Sequence, residues 1–178
     1  MAIVADMSNL LSLPARDGEA YHVVVESPRG SGVKLKYDPA LQAMSVSRPL
    51  VLGLTYPFDW GFVPGTRAPD GDPVDAAVVW DVASFPGVVL KCRPLGILAV
   101  EQKGPPGTAR VRNDRVVMLP LLDRRAQALR DVFALTERMR SEFEAFFLAA
   151  TTLTDKDVRL GPWSGPAEAE RWIQRSLR

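Results

Sequence analysis

The sequence predicts an α+β protein that is mainly β, in which a barrel or sandwich of short strands is followed by helices. Two observations carry this prediction. Between residues 21 and 120, apolar stretches are separated by clusters of Pro, Gly, Ser and Asp at short spacing, which is typical of strands and turns. Beyond residue 120 the apolar residues recur with the period of a helix.

Six segments have the composition of strands. In chain order they are YHVVVES at 21–27, GVKLKYD at 32–38, AMSVSR at 43–48, DAAVVWD at 75–81, VVLKCRPLGILAV at 88–100 and RVVMLP at 115–120. The stretch KGPPGT at 103–108 is predicted to be an exposed loop between the last two strands.

Two amphipathic helices are predicted after the strands. The first begins after Thr136 as N-cap, and its apolar face consists of Met139, Phe143, Phe146, Phe147 and Ala150. The second begins at Ser164-Gly165-Pro166, and its apolar stripe consists of Ala169, Trp172, Ile173 and Leu177. Helical spacing alone explains both sets of side chains, so we interpret them as core rather than as a cofactor site.

Composition limits the function classes. The chain has 178 residues, of which 47% are hydrophobic and 24% charged, which fits a single domain over residues 1–178. Lys and Arg number 22 and Asp and Glu 21, so no overall charge favours nucleic acid or an acidic membrane. Cys92 has no cysteine partner and is expected to be an inert core thiol. No signal peptide or membrane span is indicated, and a cytoplasmic location is expected.

The segment DGDPVD at 70–75 places three carboxylates, Asp70, Asp72 and Asp75, directly before an apolar strand. A solvated turn is the ordinary interpretation, because Asp, Gly and Pro are the residues that tight turns select. A divalent-cation site is the alternative, because hard cations need several oxygen ligands on a short, rigid piece of backbone. The segment alone leaves both open.

The alternation of side chains along a strand shows which charged residues of the earlier segments share a face. Lys34 and Lys36 point to the same side of their strand, so two ammonium groups lie next to each other. Glu26 shares a face with His22 and Val24, and Arg48 ends the following strand. Each residue alone is consistent with a solvated strand end, and His22 with a surface histidine.

Taken in order, these segments resemble the soluble inorganic pyrophosphatases. The similarity rests on Glu26, SPRGSGV, Lys34, KYDP, Arg48, TYPFDWGFVPGT, DGDPVD and CRPLGIL, and it covers roughly residues 20–175. DGDPVD after a Tyr-Pro-aromatic stretch is its most specific part. The resemblance implies a small, closed, five-stranded, OB-like β-barrel with additional strands and two or three C-terminal helices.

The resemblance also implies roles for individual residues. Asp70, Asp72 and Asp75 would ligate Mg²⁺ around diphosphate, with Glu26 on the metal-rich side. Lys34, Arg48 and Tyr56 would hold the phosphates. Asp72 would help to deprotonate the attacking water, which makes Asp72, Lys34, Arg48 and Tyr56 the predicted catalytic residues.

The sequence departs from the family pattern at several of these positions. Lys36 replaces a glutamate where the family has KYEYD, and it is expected to face the phosphate. Asn113 and Arg115 align with a metal-binding aspartate and a lysine, and Glu101 is the candidate for a further metal ligand. Trp60 stands where the family has tyrosine, and a Tyr-Lys pair that binds phosphate falls on Ala150 and Thr151. A loop of about KGPPGTARV is inserted between Glu101 and Asn113.

Two functions are therefore carried forward. The first is magnesium-dependent hydrolysis of inorganic diphosphate to two phosphates, favoured by the intact DGDPVD segment. The second is a non-catalytic relative that binds phosphate or a phosphorylated ligand, favoured by the substitutions. Nucleic-acid binding has no basic stripe with interleaved aromatic residues to support it. The resemblance implies a homo-oligomer, a hexamer or smaller.

Overall fold

The computed structural model describes residues 9–124 and 127–178. Short 3-10 helices lie at Leu10–Ser12 and Val132–Ala134. The strands and α-helices of the described residues are β1 (Arg16–Asp17), β2 (Ala20–Ser27), β3 (Val33–Asp38), β4 (Ala43–Pro49), β5 (Asp59–Val63), β6 (Val74–Val78), β7 (Val89–Gln102), β8 (Val111–Arg112), β9 (Arg115–Pro120), α1 (Glu137–Thr151), β10 (Arg159–Ser164) and α2 (Pro166–Ser176).

Five strands close into a mixed β-barrel in the order β2-β5-β6-β9-β7, and β7 returns to pair with β2. The pairing of β6 with β9 is parallel, and the other four pairings are antiparallel. Strands β1, β8 and β10 extend the sheet from β2 and β7. This confirms the predicted five-stranded barrel with additional strands.

The hairpin of β3 and β4 is a separate two-stranded sheet that lies against β2. Side chains of β2 hold it: the backbone N–H of Tyr37 donates to Glu26 Oε1 (2.8 Å) and that of Leu35 donates to Ser27 Oγ (2.8 Å). Within the hairpin, Lys34 pairs with Arg48. The barrel therefore holds the hairpin so that Lys34 lies near the Glu26 carboxylate.

All six predicted segments contain a strand, but β5 and β10 were not among them. Gly61 interrupts the apolar pattern of β5, yet a Cβ at Gly61 would lie 1.8 Å from the carbonyl oxygen of Val24. The close approach of β5 to β2 therefore requires glycine. In β10, Gly161 and Pro162 interrupt the sequence pattern of a strand. The register of β10 with β7 shifts between Leu160 and Trp163. An edge strand tolerates such an irregularity.

Both predicted helices are present. Thr136 caps α1 by accepting a hydrogen bond from the Met139 N–H (3.2 Å). The buried residues of α1 are Phe143, Phe146, Phe147 and Ala150, while Met139 is 37% exposed. In α2 the buried residues are Ala169, Trp172, Ile173 and Ser176, whereas Leu177 lies after the helix and is exposed.

Aromatic side chains join α1 to the barrel. Phe58 stacks on Phe143 with ring centroids 4.6 Å apart, and Tyr56 packs against Phe146 at 4.9 Å. Trp60 contacts Phe147 at 5.6 Å. The aromatic stripe of the helix is therefore core, as predicted, and it also forms the floor beneath the candidate site.

Two further predictions concern Cys92 and the loop at 103–108. Cys92 is fully buried, and burial raises the pKa of its thiol, which fits an inert core residue. The loop joins β7 to β8 and is largely exposed. Within residues 9–124 and 127–178, no helix is both long enough and apolar enough to cross a membrane.

Candidate active site

Two adjoining cavities lie between the barrel, the β3–β4 hairpin and the end of α1. The cationic cavity, about 40 Å³, has four cations in its wall, which are Lys34, Arg48, Arg115 and Lys156. The mixed-charge cavity, about 200 Å³, is lined by three carboxylates, Glu26, Asp72 and Asp75, together with Asn113, Lys34, Lys36 and Lys156. Lys34 and Lys156 line both cavities, so the two form one continuous site.

The DGDPVD segment is a tight turn that leads into β6. Gly71 has a φ of +92°, which favours glycine, and its N–H donates to the carbonyl of Ala68 (2.9 Å). The Asp72 N–H donates to Asp70 Oδ1 (3.2 Å). The turn and site interpretations are thus compatible, because the turn is what brings Asp72 and Asp75 to the mixed-charge cavity.

Each of the three aspartates contacts a different partner. Asp72 Oδ2 lies 2.8 Å from Lys36 Nζ, and Asp75 forms an ion pair with Arg115. Asp70 accepts a long hydrogen bond from Gln102 Nε2 (3.5 Å), and burial raises its pKa. In the portion of the chain that is described, no three acidic, His or Cys side chains converge closely enough to encircle a metal ion.

Glu26 is buried at the base of the mixed-charge cavity. Burial raises the pKa of its carboxyl, an effect that the hydrogen bond from the Tyr37 N–H and the nearby Lys34 oppose. A buried carboxylate that faces ammonium groups is an electrostatically constrained group rather than a solvated strand end.

Arg115 lies between the two cavities. The parallel pairing of Ala76 with Val116 places Arg115 beside Asp75, which explains their ion pair. Its guanidinium lies over the ring of Trp60, 5.2 Å from the centroid. Burial lowers the pKa of Arg115 to about 10, and its Nε has no hydrogen-bond partner. Arg115 is thus a buried cation with an unused donor next to the cationic cavity.

Lys34, Arg48 and Tyr56, the predicted phosphate-binding residues, are brought together in the wall of the cationic cavity. Burial lowers the pKa of Lys34 to about 8, and the nearby cations Lys156 and Arg115 lower it further. Burial also raises the pKa of the Tyr56 hydroxyl to about 12, which keeps it a neutral donor at neutral pH. Arg48 donates to the carbonyl of Ala150 at the end of α1 (2.6 Å).

Glu101 is not brought to the site. It is exposed on the opposite face of β7, where Oε2 lies 3.8 Å from Arg110 Nε. The next residue, Gln102, is buried and contacts Asp70 as well as Asn113, whose Nδ2 donates to Gln102 Oε1 (3.3 Å). Strand alternation from the buried Val100 would have selected Gln102 rather than Glu101. Two neutral amides therefore lie beside the aspartates.

Lys36 and Asn113 both line the mixed-charge cavity, and Ala150 and Thr151 line the cationic one. Two residues of the site were not predicted from the sequence: Gln102, and Lys156, which lies in the connection between α1 and β10. No periodic pattern points to a residue in such a connection, so Lys156 had no signal in the sequence.

Comparison with known proteins agrees with this architecture. The family model described as inorganic pyrophosphatase matches residues 23–178. An inorganic pyrophosphatase of Thermus thermophilus is 38% identical over 160 residues, covering 88% of this chain and 86% of its own. One from Streptomyces coelicolor is 33% identical over 159 residues, covering 89% and 94%.

Solved structures agree as well. The crystal structure of inorganic pyrophosphatase from Thermus thermophilus superposes with a TM-score of 0.87 at 33% identity, covering 95% of this chain and 97% of that one. An inorganic pyrophosphatase from Coxiella burnetii gives a TM-score of 0.84 at 28% identity, with 93% and 98% covered. The chain therefore belongs to the inorganic pyrophosphatase family.

Proposed function

We propose that this protein hydrolyses inorganic diphosphate to two phosphates in a magnesium-dependent reaction. The observation that carries the proposal is the charge distribution of the site: among the described residues, a cavity walled by four cations and no carboxylate adjoins one in which three carboxylates lie among three lysines, two of them shared. A diphosphate with bound divalent cations has the complementary arrangement, with phosphate oxygens toward Lys and Arg and metal toward carboxylates.

The oxygen ligands present fit Mg²⁺. Magnesium is usually bound through one or two carboxylates, substrate phosphates and several waters, so it needs no complete cage of protein ligands. Asp72 and Asp75 would supply the carboxylates, with Asp70 and Glu26 nearby, and the carbonyl oxygen of Asn113 is a neutral ligand of the same hard type. When bound, the metal would polarise the diphosphate and lower the pKa of a nucleophilic water.

The protein's own side chains would bind the phosphates and accept the proton of the attacking water. Lys34, Arg48 and Arg115 would neutralise charge that develops on the phosphates, and Tyr56 would donate a hydrogen bond from a neutral hydroxyl. Asp72 would accept the proton of the attacking water.

The alternative is a non-catalytic relative that binds phosphate or a phosphorylated ligand. It is favoured by the ion pairs of Asp72 with Lys36 and of Asp75 with Arg115, because a metal must compete with both cations. The amide pair of Gln102 and Asn113 adds no negative charge. A cytoplasmic location and a homo-oligomer remain expectations from the family resemblance.

Phosphate release from diphosphate, measured with and without Mg²⁺, tests the proposal. We expect turnover that requires the metal and that falls at least about 100-fold in Asp72→Asn. Asp17→Asn is a matched control, because Asp17 also pairs with an exposed lysine, Lys91, and neither residue lines a cavity of the site. A wild-type protein that binds phosphate but releases none from diphosphate would favour the non-catalytic alternative.

A further inference from the structure

The connection between α1 and β10 delivers a lysine into the site. Lys156 lines both cavities. Among the described residues, Lys34 is the only other residue that does so. The Lys156 carbonyl accepts a hydrogen bond from the Lys103 N–H (2.7 Å), and the Lys156 N–H donates to Thr154 Oγ1 (3.4 Å). Its backbone is thus fixed from both sides.

The residue that follows Lys156 is held in an unfavourable conformation. Asp157 has a φ of +41°, in the left-handed region that non-glycine residues seldom adopt. Arg110 binds it twice, donating from Nη1 to Asp157 Oδ2 (2.6 Å) and from Nη2 to the Asp157 carbonyl. Arg110 therefore stabilises the backbone turn that directs the chain around Lys156.

Both anchors come from the same segment. Lys103 and Arg110 both belong to the exposed connection between β7 and β8. The β7–β8 connection therefore contacts the connection that carries Lys156 through a backbone hydrogen bond and a bidentate arginine.

The end of α1 provides no cation of its own to the site. Ala150 and Thr151 lie in the wall of the cationic cavity without charge, and the Ala150 carbonyl is occupied by Arg48. Lys156 enters the same cavity from a position five residues further along the chain than Thr151. Burial and the proximity of Arg115 lower the pKa of Lys156, as expected of a cation gathered with like charges.

We propose that Lys156 is a substrate-binding residue that contacts a phosphate group where the two cavities meet, and that Arg110 is its positioning residue. The identification of the ligand as diphosphate rests on the proposed function. An ammonium group is a compact point charge that donates up to three hydrogen bonds. It can therefore donate to phosphate oxygens in both cavities. Arg115 is paired with Asp75, but among the described residues no carboxylate lines the cationic cavity itself, so an anionic ligand there would compensate the other cations.

Binding of inorganic phosphate by calorimetry and steady-state diphosphate turnover test the role of Lys156. We expect Lys156→Ala and Lys156→Gln each to raise the Kd for phosphate, and the KM for diphosphate, about tenfold or more. Lys156→Arg should retain most of the affinity. Lys91→Ala is the control, because it removes an exposed lysine that lines neither cavity, and it should change both constants less than about twofold.

A double-mutant cycle tests the role of Arg110. Arg110→Ala should raise the KM several-fold in the wild-type background and have no further effect in Lys156→Ala, because it acts only through that side chain. Equal effects in both backgrounds would overturn the positioning role.

The outcomes separate this inference from the proposed function. If the wild-type protein hydrolyses diphosphate and the folded Lys156 variants bind phosphate as tightly as it does, the assignment of Lys156 is wrong while the proposed function holds. If the wild-type protein binds phosphate without hydrolysing diphosphate and the variants lose affinity, the hydrolytic function fails while Lys156 remains a phosphate-binding residue.

Discussion

The ammonium group of Lys36 lies 2.8 Å from the carboxylate of Asp72. The side chains are about half exposed, at 47% and 54%, so the pair itself contributes little to stability. Its effect is on the charge of the site, because a cation already compensates one of the three carboxylates that line the mixed-charge cavity.

Restoring negative charge should therefore strengthen metal binding. The double change Lys36→Glu and Asn113→Asp adds three negative units, two from the first substitution and one from the second. Each unit a few ångströms from a divalent ion is worth on the order of a kcal/mol or more even with strong screening. We expect the half-saturating Mg²⁺ concentration for phosphate release to fall at least about tenfold.

The matched control is Lys91→Glu, which reverses the charge of a lysine outside both cavities and should leave the magnesium dependence unchanged. Magnesium titrations of the three proteins decide the outcome. No change, or weaker binding, in the double variant would contradict the assignment of this cavity as the metal side of the site.

Asp75→Asn should reduce stability as well as turnover. The side chain of Arg115 is 8% exposed, and loss of its charged partner leaves a buried cation without compensation. We expect a loss of about 3 kcal/mol in the free energy of unfolding, measured by denaturant titration. The double variant Asp75→Asn with Arg115→Met should recover part of this loss, since the unpaired charge is gone. Strictly additive effects would show that the two side chains do not interact.

The affinity for phosphate should depend on pH through Lys34. The pKa of this lysine is lowered from 10.5 to about 8 by burial first and by neighbouring cations second. Its ammonium, which attracts the anion, is therefore present below pH 8 and lost above it, so affinity should fall about tenfold per pH unit beyond that point. Lys34→Arg should abolish this fall, because arginine stays charged, and it also corrects for titration of the ligand.

The same shift acts on stability with the opposite sign. Between about pH 8 and 10.5 the unfolded chain binds more protons at Lys34 than the folded protein does. The contribution of Lys34 to the free energy of unfolding of the free protein therefore rises with pH across this window.

Gly61→Ala should destabilise the barrel strongly. The added Cβ would lie 1.8 Å from the Val24 carbonyl oxygen and 2.9 Å from the Cα of Val25, and both atoms are backbone that cannot move aside. We expect a loss of about 3 kcal/mol or more, seen as a lower denaturant midpoint. Gly30→Ala is the control: its φ is +87° but nothing lies within 4 Å, so only about 1 kcal/mol of backbone strain is expected. Similar midpoints for the two variants would contradict the close-approach argument.

The parts of the fold that the sequence predicted are those with a regular period. The helix from Thr136 and the strands around Val24 and Val117 follow their apolar patterns closely. Strand β5 was not predicted because Gly61 interrupts its apolar pattern. Glycine is required at this position by the backbone of the neighbouring strand β2. A requirement of that kind is tertiary and leaves no local pattern.

The site was predicted unevenly for similar reasons. Asp72 and Lys34 lie on short motifs, and the structure brings both to the mixed-charge cavity. The contact of Asp75 with Arg115 depends on the parallel register of β6 and β9, which connects residues 40 positions apart along the chain. The position of Lys156 depends on how the β7–β8 loop meets the connection between α1 and β10, so the sequence of either segment alone does not predict it.

The return of β7 to β2 also has a kinetic consequence. This closure pairs Tyr21 with Cys92, and the parallel pair of β6 and β9 adds a second contact of long sequence separation. A topology of high contact order forms slowly, on the order of milliseconds to seconds, because distant segments must meet before their contacts stabilise them. The hairpin that carries Lys34 and Arg48 can form early and locally, but it gains its place beside the carboxylates only when the barrel closes. Ligand affinity should therefore appear late in refolding, together with the burial of Cys92.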